Sequence, residues 1–506
     1  MAIEATRFTL REAYGWLGDA VLHGRGDEPV VGVCTDTRRI APGQLFVALR
    51  GDRFDAHAFV SQAIAAGVAA VVVERAVPGL RGPALRVPDT RRALGEIAAG
   101  WRARFALPLI AVTGSNGKTT VKEMISSILR AHVGEAAAFA TRGNLNNDVG
   151  VPLTLLALDA GHRAGVVELG MNHPGEIAQL ARFVRPTVAL VNNAQREHQE
   201  FMDGPEATAR ENGTVFDALG PDGVAVFPAD DIGTSIWRGL ARGRRVLAFG
   251  LLDGASARCD AAGPAVYAPA SARPDGFVAT VEGTPIEISL AIGGRHNVLN
   301  ALAAAACCHA IGVAPATIAA GLAAFRPASG RLARHVLAEG RVLIDDSYNA
   351  NPDSVRAAID ALADERAPRA IVLGDMGEVG DQGPAFHREV GAYARDRGIE
   401  TLIAVGAASV DIARGYGERA VHVATVESLV AAIAPATTAA ASQASVPRAP
   451  VPQAALDALD AAASTLVKGS RFMGTERVVA ALGARGRVDA ARAGAAAVPL
   501  EPEAHH

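Results

Sequence analysis

Lysine is nearly missing from this 506-residue chain: of 49 basic residues only Lys118, Lys122 and Lys468 are lysines. Biased coding accounts for arginine elsewhere. Two of the lysines, however, fall where a compact ammonium does what a planar guanidinium fork does not. Lys118 lies in a glycine loop, and Lys468 follows a short apolar run in STLVKGSRF. Cysteine is scarce too. Cys34, Cys259, Cys307 and Cys308 show no metal-type spacing, so reduced thiols in a cytoplasmic protein are expected. The chain has no basic stripe and a net charge of −4, which argues against nucleic acid as the main partner. The opening MAIEATRFTLREAYG carries acids and lacks a signal peptide's apolar run. The long apolar segment Ala301 to Phe325 is interrupted by His309 and Pro315, so it reads as two packed helices and not as a membrane span. No internal repeat is evident.

What is present suits a globular protein: half the residues are apolar, a fifth are charged, and the length sets about three domains. Short apolar runs at Val30–Val33, Leu45–Ala48 and Ala70–Val73, with helical stretches at 57–66 and 90–104, define a small α/β domain over 1–105. The next, 106–326, has strand candidates at 109–112, 165–168, 187–192, 223–227 and 245–249 that alternate with helices, the pattern of a doubly wound, largely parallel sheet. Residues 250–292 read as antiparallel strands added to it. A Rossmann-like third domain over 327–484 has strands at 342–344, 370–373, 401–405, 420–423 and 465–467, with helices at 353–363 and 384–396. The Ala/Ser/Pro-rich stretch 435–460 reads as a flexible insertion, and 485–506 as a disordered tail.

The most informative stretch is LIAVTGSNGKTTVKEMISSIL, residues 109–129. An apolar strand enters the loop Gly114, Ser115, Asn116, Gly117. Lys118, Thr119 and Thr120 follow, and Val121, Met124, Ile125, Ile128 and Leu129 then recur at helical spacing. The loop is shorter than G-x-x-x-x-G-K-[ST], since position 112 is valine. Glycine amides, a helix N-terminus and an ammonium together make a cradle for a nucleotide's phosphates, with Thr119 placed to reach Mg²⁺. The alternative is a plain turn.

Other polar residues end apolar strands. Glu168, in GVVELG, takes either an arginine partner or a metal. His198, in NNAQREHQEF, is either a surface histidine or a metal ligand. Asn297 and Asn300, in GGRHNVLN, either cap a helix or read a base edge. Arg331, in ASGRL, is suited to bridging a phosphate across a domain gap. DDSYNANPDS places Asp345, Asp346, Asn349 and Asn351 in a polar loop at a strand's carboxyl end, where open α/β sheets bind ligands.

In the order TGSNGKTT, ELGM, GRHNVLN, SGR and DDSYNANPDS, these stretches resemble the Mur ligase family from about residue 25 to 483, leaving out the insertion. RGNLNNDVGVPLTLL (142–156), DSYNANPDS (346–354) and DTRRIAPGQLFVALRGDRFDAHAFV (36–60) are most similar to members that add D-alanyl-D-alanine to UDP-N-acetylmuramoyl-tripeptide for peptidoglycan. Members adding diaminopimelate or lysine typically show D-Y-A-H-T-P-D in place of DSYNANPD.

The resemblance implies ATP and Mg²⁺ as cofactors, an acyl-phosphate intermediate, and a monomer without a membrane span. It assigns Lys118 and Thr119 to phosphate and Mg²⁺, and Glu168 and His198 to metal. Asn297, with Asn300, goes to adenine, Arg331 to phosphate and Asp346 to ribose. Lys468 and Ser470 would face the acyl group or the dipeptide. Thr37, Arg38, Phe46, Asp55 and His57 would hold the uridine-muramoyl end, with Asn144, Asn146, Asn147, Asn349 and Asn351 as further substrate contacts. Family members also commonly carry a carbamylated lysine where this chain has Asn212. Lysine is absent from 123 through 467, so no carbamate is expected. Rival readings are a diaminopimelate-adding or folylpolyglutamate-type ligase of the same fold, and a P-loop switch that joins nothing.

Overall fold

The strand Leu109–Thr113 shows how the sequence builds the protein. All five of its residues are buried, as in a central parallel strand covered on both faces. Alternate side chains point to opposite sides, so Ile110 and Val112 enter one core while Leu109 and Ala111 enter another. The helix Lys118–Val133 then lays Val121, Met124, Ile125, Ile128 and Leu129 onto the first of these cores. Removing five such side chains from water is worth roughly 8–15 kcal/mol as an upper bound. Gly134, with φ +88°, ends the helix and donates its amide to the Arg130 carbonyl at 2.9 Å.

This computed structural model describes residues 7–51, 54–80, 82–197, 199–252, 265–434 and 451–492. Its three main sheets make the three-domain α/β fold expected from the sequence. The N-terminal sheet has the order Val21–His23, Ala84–Arg86, Ala70–Val73, Gln44–Val47, Gly32–Cys34, and its pairs are parallel except the first. The central sheet has nine strands in the order 284–288, 277–281, 266–269, 245–252, 224–228, 188–191, 109–113, 164–168, 138–140. The third has six, in the order 333–336, 342–346, 464–468, 369–374, 401–405, 421–423.

Several expectations need correction. Of the strands added after residue 250, Val266–Pro269 pairs parallel with Arg245–Leu252 on one edge, and only its other edge, against Phe277–Val281, and the hairpin that follows are antiparallel as expected. Ala333–Val336 forms an antiparallel edge strand that the sequence reading lacked. The insertion is shorter than 435–460, because Gln453–Ala461 is a helix that buries Ala455, Leu456 and Leu459. Residues 435–450 lie outside the described residues. The expected disordered tail begins too early: the helix Glu476–Arg492 runs through Arg485, whose guanidinium pairs with Asp460. Residues 493–506 lie outside the described residues, as does Cys259; Cys34, Cys307 and Cys308 are free thiols. The segment 301–325 is shared by two helices, Arg295–Ala310 and Pro315–Ala324. Among the described residues no helix is long and apolar enough to cross a membrane.

Candidate active site

A cleft of about 960 Å³ opens where strands of the central and third sheets end. Parallel sheets present loops and helix N-termini at their carboxyl ends, which makes this the place for a ligand. The strand 109–113 delivers the glycine loop, 164–168 ends on Glu168, and 464–468 ends on Lys468. Lining the cleft are Ser115, Asn116, Gly117, Lys118, Thr119, Asn144, Asn146, Asn147, Glu168, Arg331, Asn349, Asn351, Lys468 and Ser470, all singled out from the sequence.

The loop cannot be built without its glycines. Gly114 (φ +127°) and Gly117 (φ +81°) are in the left-handed region, and a Cβ on Gly117 would meet Asn300 Oδ1 at 2.7 Å. Asn192 Nδ2 donates to the Asn116 carbonyl (2.8 Å) and to Asn300 Oδ1 (2.9 Å), and Asn300 Nδ2 donates to Asn297 Oδ1 (2.8 Å). Asn297 is 1% exposed, and its amide also donates to the Gly293 carbonyl at 2.6 Å. Asn297 and Asn300 therefore brace the loop from behind and do not line the cleft. Beside them His296, pushed down to about 4 by burial and by the Lys468 ammonium, is neutral at pH 7. Thr120 lies in the first turn, whose amides have no intrahelical partner.

Lys118 Nζ donates to the Gly114 carbonyl (2.7 Å), the Ser115 carbonyl (3.0 Å) and Glu197 Oε1 (2.7 Å). Glu168 is 1% exposed. Its Oε1 accepts from Thr119 Oγ1 (3.2 Å) and Asn146 Nδ2 (2.7 Å), while the buried Oε2 has no hydrogen-bond partner. A buried carboxylate oxygen without a donor, beside a threonine hydroxyl, fits a hard divalent cation. Among the described residues no three His, Cys, Asp or Glu side chains cluster as a ready metal site. His198 lies outside the described residues. Lys122 is fully buried and pairs with Glu123.

Asn212 does not reach the cleft. It is 1% exposed beneath the loop, where Oδ1 accepts from Thr113 Oγ1 (2.6 Å) and the Gly114 amide (3.0 Å). Its amide oxygen thus serves the loop itself.

The third domain supplies the opposite wall. Asp346 and Lys468 face each other in register on neighbouring strands, with Nζ 2.6 Å from Oδ2. Burial pushes the Asp346 carboxyl up, against the pull of the Lys468 ammonium. Asp345 accepts from the Gly330 amide (3.0 Å) and Asp346 from the Leu332 amide (3.2 Å), so the two acids bracket Arg331. Leu332, at φ +54°, is a strained left-handed residue held by that bracket. Arg331 then stacks on Tyr348 (3.9 Å) and reaches Thr119 Oγ1 at 3.3 Å. Asp346 itself is absent from the cleft lining.

The N-terminal candidates stand apart from this cleft. Phe46 is 0% exposed within an apolar core, which overturns a ligand role: its strand is covered on both faces. His57 is buried between Asp55 (2.7 Å) and the Glu74 amide (2.9 Å), and Arg75 pairs with Asp55 at 2.7 Å. Thr37 and Arg38 lie on an exposed turn capped by Asp36, which also pairs with Arg38. The cleft also includes residues that sequence reading passed over: Arg91, Asp148, Glu176, Arg196, Glu197, Arg471 and Phe472. Arg91 and Glu176 carry no local signal and are brought in by long-range packing, whereas Asp148, Arg196, Glu197, Arg471 and Phe472 sit within the stretches RGNLNNDVG, NNAQREHQEF and KGSRF, whose placement was the available clue.

Residues 29–102 match the model described as Mur ligase family, catalytic domain; 112–308 match the Mur ligase middle domain; and 330–446 match the Mur ligase, glutamate ligase domain. The chain belongs to the Mur ligase family and is an amide-forming ligase. More narrowly, it is 38% identical over 452 residues to the UDP-N-acetylmuramoyl-tripeptide–D-alanyl-D-alanine ligase of Escherichia coli (strain K12), covering 89% of this chain and 93% of that protein. The enzyme of the same name from Bacillus subtilis (strain 168) is 34% identical, with 76% and 82% covered. A crystal structure of MurF from Acinetobacter baumannii superposes with TM-score 0.81 at 33% identity, covering 94% of this chain and 99% of that one. MurF ligase from Thermotoga maritima in complex with ADP shares the fold, with TM-score 0.74 at 23% identity over 90% of this chain and 98% of that one.

Proposed function

We propose that this chain joins D-alanyl-D-alanine to UDP-N-acetylmuramoyl-tripeptide at the expense of ATP, in the cytoplasm and as a monomer, for peptidoglycan synthesis. The observation that carries the reading is one cleft faced by cations from two domains, the Lys118 cradle on one wall and Arg331 with Lys468 on the other.

A carboxylate resists amine attack because its oxygen leaves poorly. In the proposed reaction the tripeptide's terminal carboxylate attacks the γ-phosphorus of ATP, ADP departs, and an acyl phosphate results. The dipeptide's free amine then adds to the acyl carbon and loses a proton, and inorganic phosphate leaves as the amide forms. Lys118 and the first-turn amides hold the phosphates, and Arg331 meets the charge that develops on the transferred group. Lys468, fixed by Asp346, faces the acyl group, while Ser470 and Asn349 line the dipeptide's side. Thr119 and Glu168 would hold Mg²⁺, with His198 assigned by resemblance, and the ion would supply charge neutralisation to the phosphates. Thr37, Arg38, Asp55 and His57 remain the contacts proposed for the uridine end. Walls drawn from separate domains keep water from the acyl phosphate once substrates bridge them.

The test is ADP release with UDP-muramoyl-tripeptide and D-alanyl-D-alanine, the product being identified by mass. Oxygen-18 in the tripeptide's terminal carboxyl is expected in the released phosphate. Equal activity with single amino acids or glutamate, or no transfer of label, refutes the reading.

A further inference from the structure

Residues 192–197 leave the strand Val188–Val191 and pass between two parts of the protein. Toward the phosphate loop, the Gln195 amide donates to Ser115 Oγ (2.9 Å), Asn116 Nδ2 donates to Gln195 Oε1 (2.6 Å), and Glu197 takes Lys118 Nζ at 2.7 Å. Toward the third domain, the Arg196 amide donates to Asp353 Oδ2 (2.9 Å). The Arg196 guanidinium reaches Asp353 at 2.6 Å and Glu389 at 2.7 and 3.0 Å, and it lies over the Phe386 ring at 5.1 Å. Arg356 also pairs with Glu389, at 2.9 Å. Two adjacent residues therefore grip different domains: Arg196 holds two acids of the third, and Glu197 holds the lysine of the second.

We propose that Arg196 is a positioning residue whose double grip on Asp353 and Glu389 fixes Glu197 against Lys118, so that docking of the third domain sets how readily that lysine passes to a nucleotide. This rests on the reading that Lys118 holds phosphate. A phosphate entering the cradle competes with Glu197 for Lys118, and both side chains are mostly covered, at 14% and 10% exposed, so salt screens the pair little. A carboxylate already fixed in place competes well. One on a loosened loop must be ordered first and competes less.

The experiment is calorimetric titration of the full chain with ADP in EDTA, a readout of binding and not of turnover. Glu197→Gln removes the competitor and is expected to tighten ADP about tenfold, about 1.4 kcal/mol. In an Arg196→Ala background the same change is expected to give less than about threefold, a coupling of the size seen for residues in contact. Glu389→Gln leaves Glu197, Lys118 and the nucleotide untouched and weakens the Arg196 grip from the third-domain side, so it is expected to shrink the Glu197→Gln gain partway; Arg196→Lys should preserve part of it. Equal gains in every background overturn the proposal, including when only the Glu389→Gln pair is available because Arg196→Ala folds poorly. Absence of ADP binding in all variants removes the phosphate reading and the proposal with it, an outcome distinct from binding with additive effects.

Discussion

Replacing Asn212 by leucine keeps the side chain's size and removes its polar atoms from a site that is 1% exposed. The Gly114 amide, 3.0 Å from Asn212 Oδ1, then loses its acceptor, and the Thr113 hydroxyl, at 2.6 Å, loses its own. A buried amide without a partner costs about 1–3 kcal/mol, and the hydroxyl adds about 1 kcal/mol. The loop strand should thus open more easily by about 2–4 kcal/mol, which is roughly 30- to 700-fold at 1.4 kcal/mol per tenfold. Hydrogen exchange of the peptide covering 109–121, followed by mass, reads this opening directly. ADP affinity is expected to fall with it. Lysine at the same position should do no better in the free protein, since an ammonium has no acceptor to offer the Gly114 amide. Exchange within about threefold of the unaltered chain would refute the assignment of Asn212 as the loop's buried support.

Lys468→Met leaves Asp346 buried with the Leu332 amide alone and is expected to cost roughly 3–5 kcal/mol in unfolding; adding Asp346→Asn should recover stability but not ligation, read by urea melts and by product mass. Arg196 holds the Glu389 carboxyl below its usual value of 4.5. Its stabilising contribution is therefore full above that value and lost as the pH falls through the lower folded one. The melting difference between Arg196→Ala and the unaltered chain should hold above pH 5 and shrink below pH 4.5. Gly321→Ala would put a Cβ 2.4 Å from Ile128 Cα; overpacking of about 1–3 kcal/mol should lower the calorimetric melting point by several degrees. An unchanged melting point would mean the two helices are not in this contact.

Much of the fold and residues on both walls of the cleft were legible in the sequence because local rules govern them. Glycine at the two left-handed positions of the loop, helical spacing from Val121 to Leu129, and polar residues ending apolar strands at Glu168 and Lys468 are all short-range signals. What escaped depends on partners far along the chain. Glu197 meets Lys118 across 79 positions and Asp346 meets Lys468 across 122, and neither pairing leaves a local mark. Phe46 was misread because a strand covered on both faces lacks the alternation that tells a buried aromatic from an exposed one. The helix Gln453–Ala461 was hidden by alanine, which gives little hydrophobic contrast even where Ala455, Leu456 and Leu459 pack inward.

The three lysines carry one more consequence. Lys118 and Lys468 have side chains 14% and 4% exposed, and that of Lys122 is 0% exposed. A protein of this size ordinarily displays many reactive amines; this one keeps its lysine side chains within its working cleft and core. Amine-directed acylating tags and cross-linkers should therefore find almost no lysine to label on the outer surface. Any label that does appear on Lys118 or Lys468 becomes a chemical gauge of how often the domains part.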